Sequence, residues 1–189
     1  MIKIYRSLRT NYVTQYFGQN LSPIYQRMGM LGHSGVDFLC WKGEPIYHSG
    51  DWSGWAQTEV DNAGGVGVDI ISNEPLLNGN RIKLRYWHLE RVNVYDGQKI
   101  KSGDLIGWGD STGMSTGDHL HFGFKECDSQ GNGLNKGNGY YGGLDPAKYF
   151  ENIFVGDVVK VKKQALTVIQ LARKVISDVR VFIWNWKGR

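Results

Sequence analysis

Glycine interrupts the first 150 residues so often that long helices are disfavoured there. The chain of 189 residues contains 26 glycines, well above the usual share of roughly 7%. Between the glycines lie short runs in which apolar and polar residues alternate, with seven Trp and ten Tyr in the whole chain. Alternation of this kind is typical of strands, and glycine-rich turns are typical of the connections between them. We therefore predict a mainly β fold for residues 1–150.

Three segments show the strand pattern most clearly, namely Val66–Ser72, Arg81–His88 and His119–Lys125. In the second of them, one face of the strand would carry Ile82, Leu84, Tyr86 and His88. Lys83 and Arg85 would then lie on the opposite face, because successive side chains of a strand alternate. We therefore predict that His88 points inward with the apolar residues.

The last part of the chain differs from the rest in both charge and periodicity. Residues 157–189 hold eight Lys or Arg and two Asp, a balance of +6, whereas the residues before them carry −2. Apolar residues recur here at helical spacing, and neither glycine nor proline occurs between Gly156 and Gly188. We predict a basic amphipathic helix over 158–186, in a tail of residues 157–189 that is separate from a domain of residues 1–150.

Three roles stay open for this tail. It could dock on the β domain, it could bind a protein partner or itself, or it could bind an anionic membrane or wall polymer. No nucleic-acid-binding motif accompanies its positive charge, so we expect no nucleic acid partner.

The cysteines and the N-terminus exclude further classes of protein. Cys40 and Cys127 are too few for a disulfide scaffold or a thiolate zinc site, and we expect two free, packed thiols. The N-terminal residues lack the unbroken apolar stretch of a signal peptide, and no apolar stretch is long enough for a membrane-spanning helix. We therefore expect a protein that is made in the cytoplasm without a signal peptide.

Two histidines could converge on one pocket. His119 and His121 are two residues apart in a strand pattern, so their side chains leave the same face with Cα atoms roughly 6–7 Å apart. A metal site and a solvated pair on an edge strand both fit this spacing.

A histidine and an aspartate form a second candidate pair. His33 and Asp37 are four residues apart, a distance of about 13 Å in a straight strand, which is too far to share one ion. The neighbouring glycines and the apolar and aromatic residues that follow disfavour a helix. If both residues bind one metal, the backbone must bend between them, and Gly35 permits such a bend.

Five short motifs occur in a fixed order between Phe17 and Phe150. They are His33-x-x-x-Asp37, Tyr86-Trp-His88-Leu89, Gly97-Gln-Lys-Ile-Lys-Ser-Gly103, Ile106-Gly-Trp-Gly-Asp-Ser-Thr-Gly113 and Ser115-Thr-Gly-Asp-His119-Leu-His121-Phe122. In this combination and order, about 70% of the chain resembles the lysostaphin-type family of zinc metallopeptidases.

The resemblance implies a role for each of five residues. His33, Asp37 and His121 would bind one Zn²⁺. His119 would act as the general base and later as a proton donor. His88 would orient the attacking water or stabilise the oxyanion.

The same resemblance implies the fold and the substrate. It implies a largely antiparallel β-sheet peptidase domain with a substrate groove, and the polar, glycine-rich loop 128–143 is a candidate wall of that groove. The family's substrates are peptidoglycan peptides, either stem-peptide crosslinks or glycine-rich bridges. We therefore predict a zinc metalloendopeptidase, a peptidoglycan hydrolase that acts at the cell wall.

Other functions stay open on the sequence alone. Without a signal peptide, a phage-encoded enzyme, either lytic or associated with the virion, is favoured over a secreted bacterial enzyme. A catalytically silent or mainly structural member of the same family, binding the wall or forming part of a virion, is the main alternative, and an amidase at the sugar–peptide junction is another. His48 has no role in the family pattern, and Asp110, Ser111 and Thr112 predict turn chemistry rather than catalysis.

Overall fold

The structure of the chain is a computed structural model that describes residues 2–187, with side-chain surroundings described for residues 2–174. It divides into two compact units, Met1–Val155 and Gly156–Arg189. The first unit carries every predicted site residue.

The described chain contains eleven strands, two α-helices and one short 3-10 helix. The strands are β1 (Ile4–Arg6), β2 (Val13–Gln15), β3 (Val36–Leu39), β4 (Pro45–Tyr47), β5 (Gly54–Asp61), β6 (Gly65–Ser72), β7 (Arg81–Val92), β8 (Lys99–Ile100), β9 (Leu105–Gly109), β10 (His119–Cys127) and β11 (Phe150–Phe154). The helices are α1 (Ile24–Arg27), the 3-10 helix Ala147–Tyr149 and α2 (Val155–Lys187).

Nine of the strands form one sheet. Its main path has the order β2-β3-β10-β7-β6-β5-β8, and β9 pairs with both β7 and β4. All pairings in this sheet are antiparallel. The terminal strands β1 and β11 pair in parallel as a separate ribbon. The predicted mainly β, antiparallel fold is confirmed.

One face of the central strands forms the hydrophobic core. The core residues of β7 and β10 are Ile82, Leu84, Tyr86, Leu120, Phe122 and Phe124, none of which is more than 3% exposed. Burial of apolar surface stabilises the fold by about 25 cal/mol per Å², so this face supplies much of the stability of the domain. Cys40 and Cys127 are buried free thiols, as predicted.

The opposite face of the same strands is covered as well, although its residues are polar. Lys83, Trp87 and Lys125 are 4%, 4% and 8% exposed. Loops cover them, and the space between these loops and the sheet is a groove with a volume of about 630 Å³. We call this side of β7 and β10 the groove face.

The prediction that His88 shares the core face with Tyr86 is wrong. A β-bulge in the pairing of β6 with β7 lies at His88, whose φ angle is 66°. The bulge shifts the alternation by one residue, so Trp87 and His88 both line the groove while Leu89 returns to the core. Alternation cannot reveal such a bulge, because the apolar pattern is intact on either side of it.

Helix α2 begins three residues before the predicted 158–186 helix and ends one residue after it. Its described side chains from 160 to 174 are all exposed. The apolar ones among them include Val161, Leu166, Val168, Ile169 and Leu171. The predicted apolar positions after residue 174 lie outside the described side chains. Within the part of the chain that the structure describes, no helix is both long enough and apolar enough to cross a membrane.

Candidate metal centre and groove

Three side chains bring one donor atom each to a common point. His33 Nε2 lies 3.0 Å from Asp37 Oδ1 and 2.9 Å from His121 Nδ1. His121 Nδ1 in turn lies 3.0 Å from Asp37 Oδ1. Asp37 on β3 is paired directly with His121 on β10, so the register of the sheet sets this contact.

The bend required between His33 and Asp37 is present, because donor atoms four residues apart in sequence meet. Gly35 allows the close approach of β10 rather than a left-handed backbone. A Cβ atom at Gly35 would lie 2.5 Å from the Phe122 carbonyl oxygen and 2.8 Å from Cε1 of His121. The absence of a side chain at Gly35 therefore leaves the room that the His121 ring occupies.

The hydrogen bonds of the His33 ring define which nitrogen is free to bind a metal. His33 Nδ1 lies 3.2 Å from the Tyr16 carbonyl oxygen, and because a carbonyl only accepts, Nδ1 must donate. Nε2 then presents its lone pair to His121 and Asp37. Lone pairs of this kind repel one another unless a proton or a cation lies between them, so the arrangement can accommodate a metal cation.

The electrostatics of the site favour the forms of these residues that bind metals. Burial lowers the pKa of His121 to about 4, so its imidazole is neutral at pH 7. Burial alone would raise the pKa of Asp37, but the adjacent His121 and His33 outweigh it and hold that pKa well below its usual range. Metal ligands must be deprotonated, and both residues are.

This donor set fits the zinc ion that the resemblance implies. Two imidazoles and one carboxylate are a common set in catalytic zinc sites, which keep a fourth position open. A tetrahedral zinc with bonds of about 2.0–2.1 Å would separate its ligand atoms by about 3.3 Å. The three donors here are within a few tenths of an ångström of that spacing, and their residues all line the groove.

Two further histidines lie beside the three donors. His119 Nε2 is 3.6 Å from Asp37 Oδ2, and His119 Nδ1 donates to the Gly117 carbonyl at 2.8 Å. His88 Nδ1 donates to the Thr112 carbonyl at 2.7 Å, and its ring centroid is 4.6 Å from that of His119. In both rings the fixed Nδ1 proton leaves Nε2 as the free base. Burial lowers the pKa of His88, which keeps this ring neutral.

The turn before β10 helps to position the candidate site, although its sequence predicts only a turn. Thr112, expected to serve the turn alone, holds His88 through its carbonyl, while its hydroxyl donates to the Leu89 carbonyl at 2.7 Å. Ser115 Oγ lies 3.2 Å from His119 Nδ1. The segment therefore positions two of the predicted site residues, a role that no single residue type in it reveals.

Sequence reasoning also missed the aromatic floor of the groove. Trp87 lies against Gly64 and Gly67, and a Cβ atom at Gly64 would lie within the indole ring, 1.0 Å from its Cε3. The glycines of segment 64–67 were the available signal, because they leave room for a large ring. Other groove residues are Tyr25, Met30, Arg85, Met114, Lys125 and Tyr141. Tyr141 belongs to loop 128–143, the predicted candidate wall.

His48, which has no role in the family pattern, packs in the interior of the domain. It is fully buried, its Nε2 donates to the Trp52 carbonyl at 3.1 Å, and its Nδ1 is 3.1 Å from the Tyr86 hydroxyl. It is not among the residues that line the groove.

Residues 31–136 match peptidase family M23. This range covers more than half of the chain and includes all five predicted site residues. The chain therefore belongs to peptidase family M23, and the predicted membership of the lysostaphin-type family is confirmed.

Two curated relatives show how far the similarity extends. The glycyl-glycine endopeptidase ALE-1 of Staphylococcus capitis is 35% identical over 48% of this chain and 24% of its own length. The peptidoglycan DD-endopeptidase ShyA of Vibrio cholerae is 35% identical over 55% of this chain and 22% of its own length. The chain thus spans about a quarter of the length of these relatives.

Two solved structures show the same fold. The catalytic domain of lysostaphin from Staphylococcus simulans has a TM-score of 0.53 and 27% identity, over 75% of this chain and 91% of that domain. A zinc-containing peptidase from Vibrio cholerae has a TM-score of 0.54 and 25% identity, over 70% of this chain and 38% of that chain.

Proposed function

We propose that this chain is a zinc-dependent endopeptidase that hydrolyses peptide bonds in bacterial peptidoglycan. The observation that carries the proposal is the convergence of His33 Nε2, Asp37 Oδ1 and His121 Nδ1 beside two histidines with free Nε2 atoms. Membership of family M23 supports peptidase chemistry, and two relatives named as endopeptidases of peptidoglycan or of glycyl-glycine bonds support the substrate.

His33, Asp37 and His121 would hold the zinc ion. When bound there, zinc would polarise the carbonyl of the scissile bond and lower the pKa of a water molecule. The protein's own part is to keep Asp37 and His121 deprotonated and to leave one side of the site open to the groove.

His119 is proposed as the general base and later as the proton donor. Its Nδ1 proton is held by the Gly117 carbonyl, so Nε2 is the atom that takes a proton from the attacking water. The same atom then passes the proton to the leaving amine, as a base near the reacting atoms can do in both directions.

His88 is proposed to orient the water. Since its Nδ1 donates to Thr112, the neutral ring offers only an acceptor at Nε2. An acceptor can hold a water hydrogen but cannot stabilise an oxyanion, so the first of the two roles implied by the resemblance is favoured.

The proposal also assigns a function to each of the two predicted parts of the chain. We assign catalysis to a peptidase domain that comprises residues 1–150, and a separate function to the tail of residues 157–189. The tail's exposed cations Lys160, Lys162, Lys163, Arg173 and Lys174 support binding to an anionic membrane or wall polymer. That the tail binds a protein partner or itself stays a prediction. That the enzyme is phage-encoded, and either lytic or associated with the virion, also stays a prediction.

The test combines zinc content with lysis of purified peptidoglycan, for the parent and for His119→Ala. We expect about one zinc per chain in both proteins, with the activity of the variant reduced by roughly 10²–10⁴-fold. Loss of zinc from the variant would show that His119 is a ligand. Bound zinc without lysis by the parent, on several wall types, would favour the silent or structural alternative. Release of intact peptides from the sugar chains would indicate an amidase.

A further inference from the structure

A cluster of basic side chains continues the groove face beyond the metal centre. Lys125 lies on the same face of β10 as His119 and His121. It is four residues after His121 along the strand. On β7, Arg85 is paired with Gly123 and Lys83 with Lys125. Three cations therefore follow directly after the metal ligand His121 on two neighbouring strands.

The carboxylates near this cluster are already engaged. Asp69, fully buried on β6, accepts from Arg85 Nε and Nη2 at 2.9 Å each and from Lys83 Nζ at 2.8 Å. Glu59 lies 3.4 Å from Arg85 Nη2 and is itself partly exposed. These two carboxylates are held by Arg85 and Lys83. A third, Asp61, also acts on Arg85 but accepts from the backbone N–H groups of Ala63 and Gly64.

Lys125 is the cation that remains. Its Nζ donates to the Tyr141 carbonyl at 2.8 Å, and among the residues that the structure describes no carboxylate lies within ion-pairing distance of it. Burial and the positive charge of Arg85 lower the pKa of Lys125 to about 8. A buried cation without an opposite charge is unfavourable, and an anionic ligand would compensate for it.

The space in front of Lys125 is large enough for a ligand group. A cavity of about 360 Å³ has a lining that includes the cations Lys83, Arg85, Lys125 and Lys136. Its lining also includes Glu59, whose carboxylate pairs with Arg85 at 3.4 Å. Arg85, Lys125 and Tyr141 line both this cavity and the groove that contains the metal centre. The basic cavity therefore adjoins the groove.

We propose that Lys125, with Arg85 and the rim residue Lys136, forms a subsite for a free carboxylate of the wall peptide. This inference rests on the proposed function, because it concerns the peptide that the metal centre would cleave. Strand residues rise about 3.4 Å each, so Gly123 and Lys125 lie about 7 and 13 Å from His121 along β10. An extended peptide covers these distances in about two to four residues.

The subsite selects between the two substrate classes of the family. A glycine bridge carries no side-chain carboxylate to place against Lys125, whereas an acidic stem peptide carries one. The ammonium groups of Lys125 and Lys136 can donate to a carboxylate, and such charge-assisted hydrogen bonds are stronger than neutral ones. The protein is therefore specific for stem-peptide crosslinks with a free carboxylate near the scissile bond.

The test uses one crosslinked stem peptide in two forms, with its carboxylates free or amidated. Values of kcat/KM are measured for the parent, and Kd values are measured in the His119→Ala background, where no turnover interferes. We expect the free form to be favoured by about 10–100-fold in both measurements, as for a hydrogen bond to a buried charge. Lys125→Met should remove this preference, so that kcat/KM and Kd become nearly equal for the two forms.

Two further variants keep the test decisive. Lys136→Met changes an exposed rim residue, so it folds even if Lys125→Met does not, and it should reduce the preference by a smaller factor. Lys101→Met removes an exposed lysine that lines neither cavity and should change nothing. Equal Kd values for the two peptide forms in the His119→Ala background would overturn the subsite. Absence of cleavage with a retained difference in Kd would instead overturn the proposed function and leave the subsite standing.

Discussion

Neighbouring residues of β10 serve opposite faces of one sheet. Leu120, Phe122 and Phe124 pack into the hydrophobic core, whereas His119, His121 and Lys125 line the groove. Both faces are largely withdrawn from water. On the core face, burial of apolar surface and dispersion stabilise the packed side chains. On the groove face, hydrogen bonds, ion pairs and a proposed metal compensate for the cost of removing polar groups from water.

This difference shows that burial alone does not identify the core of such a domain. Lys83 is 4% exposed and Asp69 is fully buried, as in a core, yet their ion pair lies on the groove face. Buried polar groups of this kind contribute little net stability, because desolvation opposes their attraction. Function is therefore concentrated on the face whose residues stabilise the fold least, and three substitutions test this division.

The largest expected effect is on the groove face. His121→Ala removes one of three proposed ligands, so zinc content should fall from about one per chain to near zero. Activity on peptidoglycan should fall by about 10³-fold or more, since the metal would supply most of the catalysis. The measurements are metal analysis of the dialysed protein and a lysis assay. A variant that keeps its zinc would remove His121 from the set of ligands.

The adjacent residue on the core face should behave in the opposite way. Phe122→Ala leaves a cavity in the core and should reduce the free energy of unfolding by about 3–5 kcal/mol. Urea unfolding in the presence of a chelator measures this loss, with His121→Ala as the matched control. The control should lose less stability than Phe122→Ala. Equal losses for the two variants would contradict the division between the faces.

The smallest effect concerns His48, a polar residue on the core side. Its pKa is about 4 in the fold, below the ordinary 6.5, because burial disfavours the charged form. The unfolded chain therefore takes up a proton first as pH falls, and the stabilising contribution of neutral His48 is lost between about pH 6.5 and 4. The loss amounts to at most about 1.4 kcal/mol per pH unit, or about 3 kcal/mol in total.

His48→Gln isolates this contribution. The variant should be less stable than the parent at pH 7, and the difference should shrink as pH falls from 6.5 towards 4. Urea unfolding at several pH values measures the difference, in which the titration of the other histidines cancels because both proteins share them. A difference that stays constant with pH would mean that His48 is accessible to protons in the fold.

The sequence was sufficient to predict the elements whose signals are local. Alternation and glycine turns predicted the strands, and the spacing of apolar residues predicted helix α2. The antiparallel arrangement of the strands was implied by the family resemblance. The meeting of His33 with Asp37 could be anticipated because sharing one ion demands a bend. These features depend on residues that are close in the chain, so a short window contains the information.

The rest depends on contacts between distant segments. Lys83 and Lys125 look solvent-exposed in an alternating pattern, yet both are buried, and Lys125 is held by the carbonyl of Tyr141 in loop 128–143. Thr112 looks like an ordinary turn residue until the bulge brings His88 to its carbonyl. Neither arrangement has a local signal, since each is produced by the register of the sheet and by a loop that folds back over it.

Because of the left-handed backbone at His88, thermal stability and catalytic activity make opposite demands on the residue at this position. A residue with a Cβ atom at φ 66° costs about 1–2 kcal/mol relative to a relaxed conformation. Glycine would relieve that cost, so selection for survival at high temperature would favour His88→Gly. The same change would delete the proposed water-orienting imidazole. A variant of this chain selected for thermal stability should therefore retain histidine at position 88 only where lytic activity is selected as well.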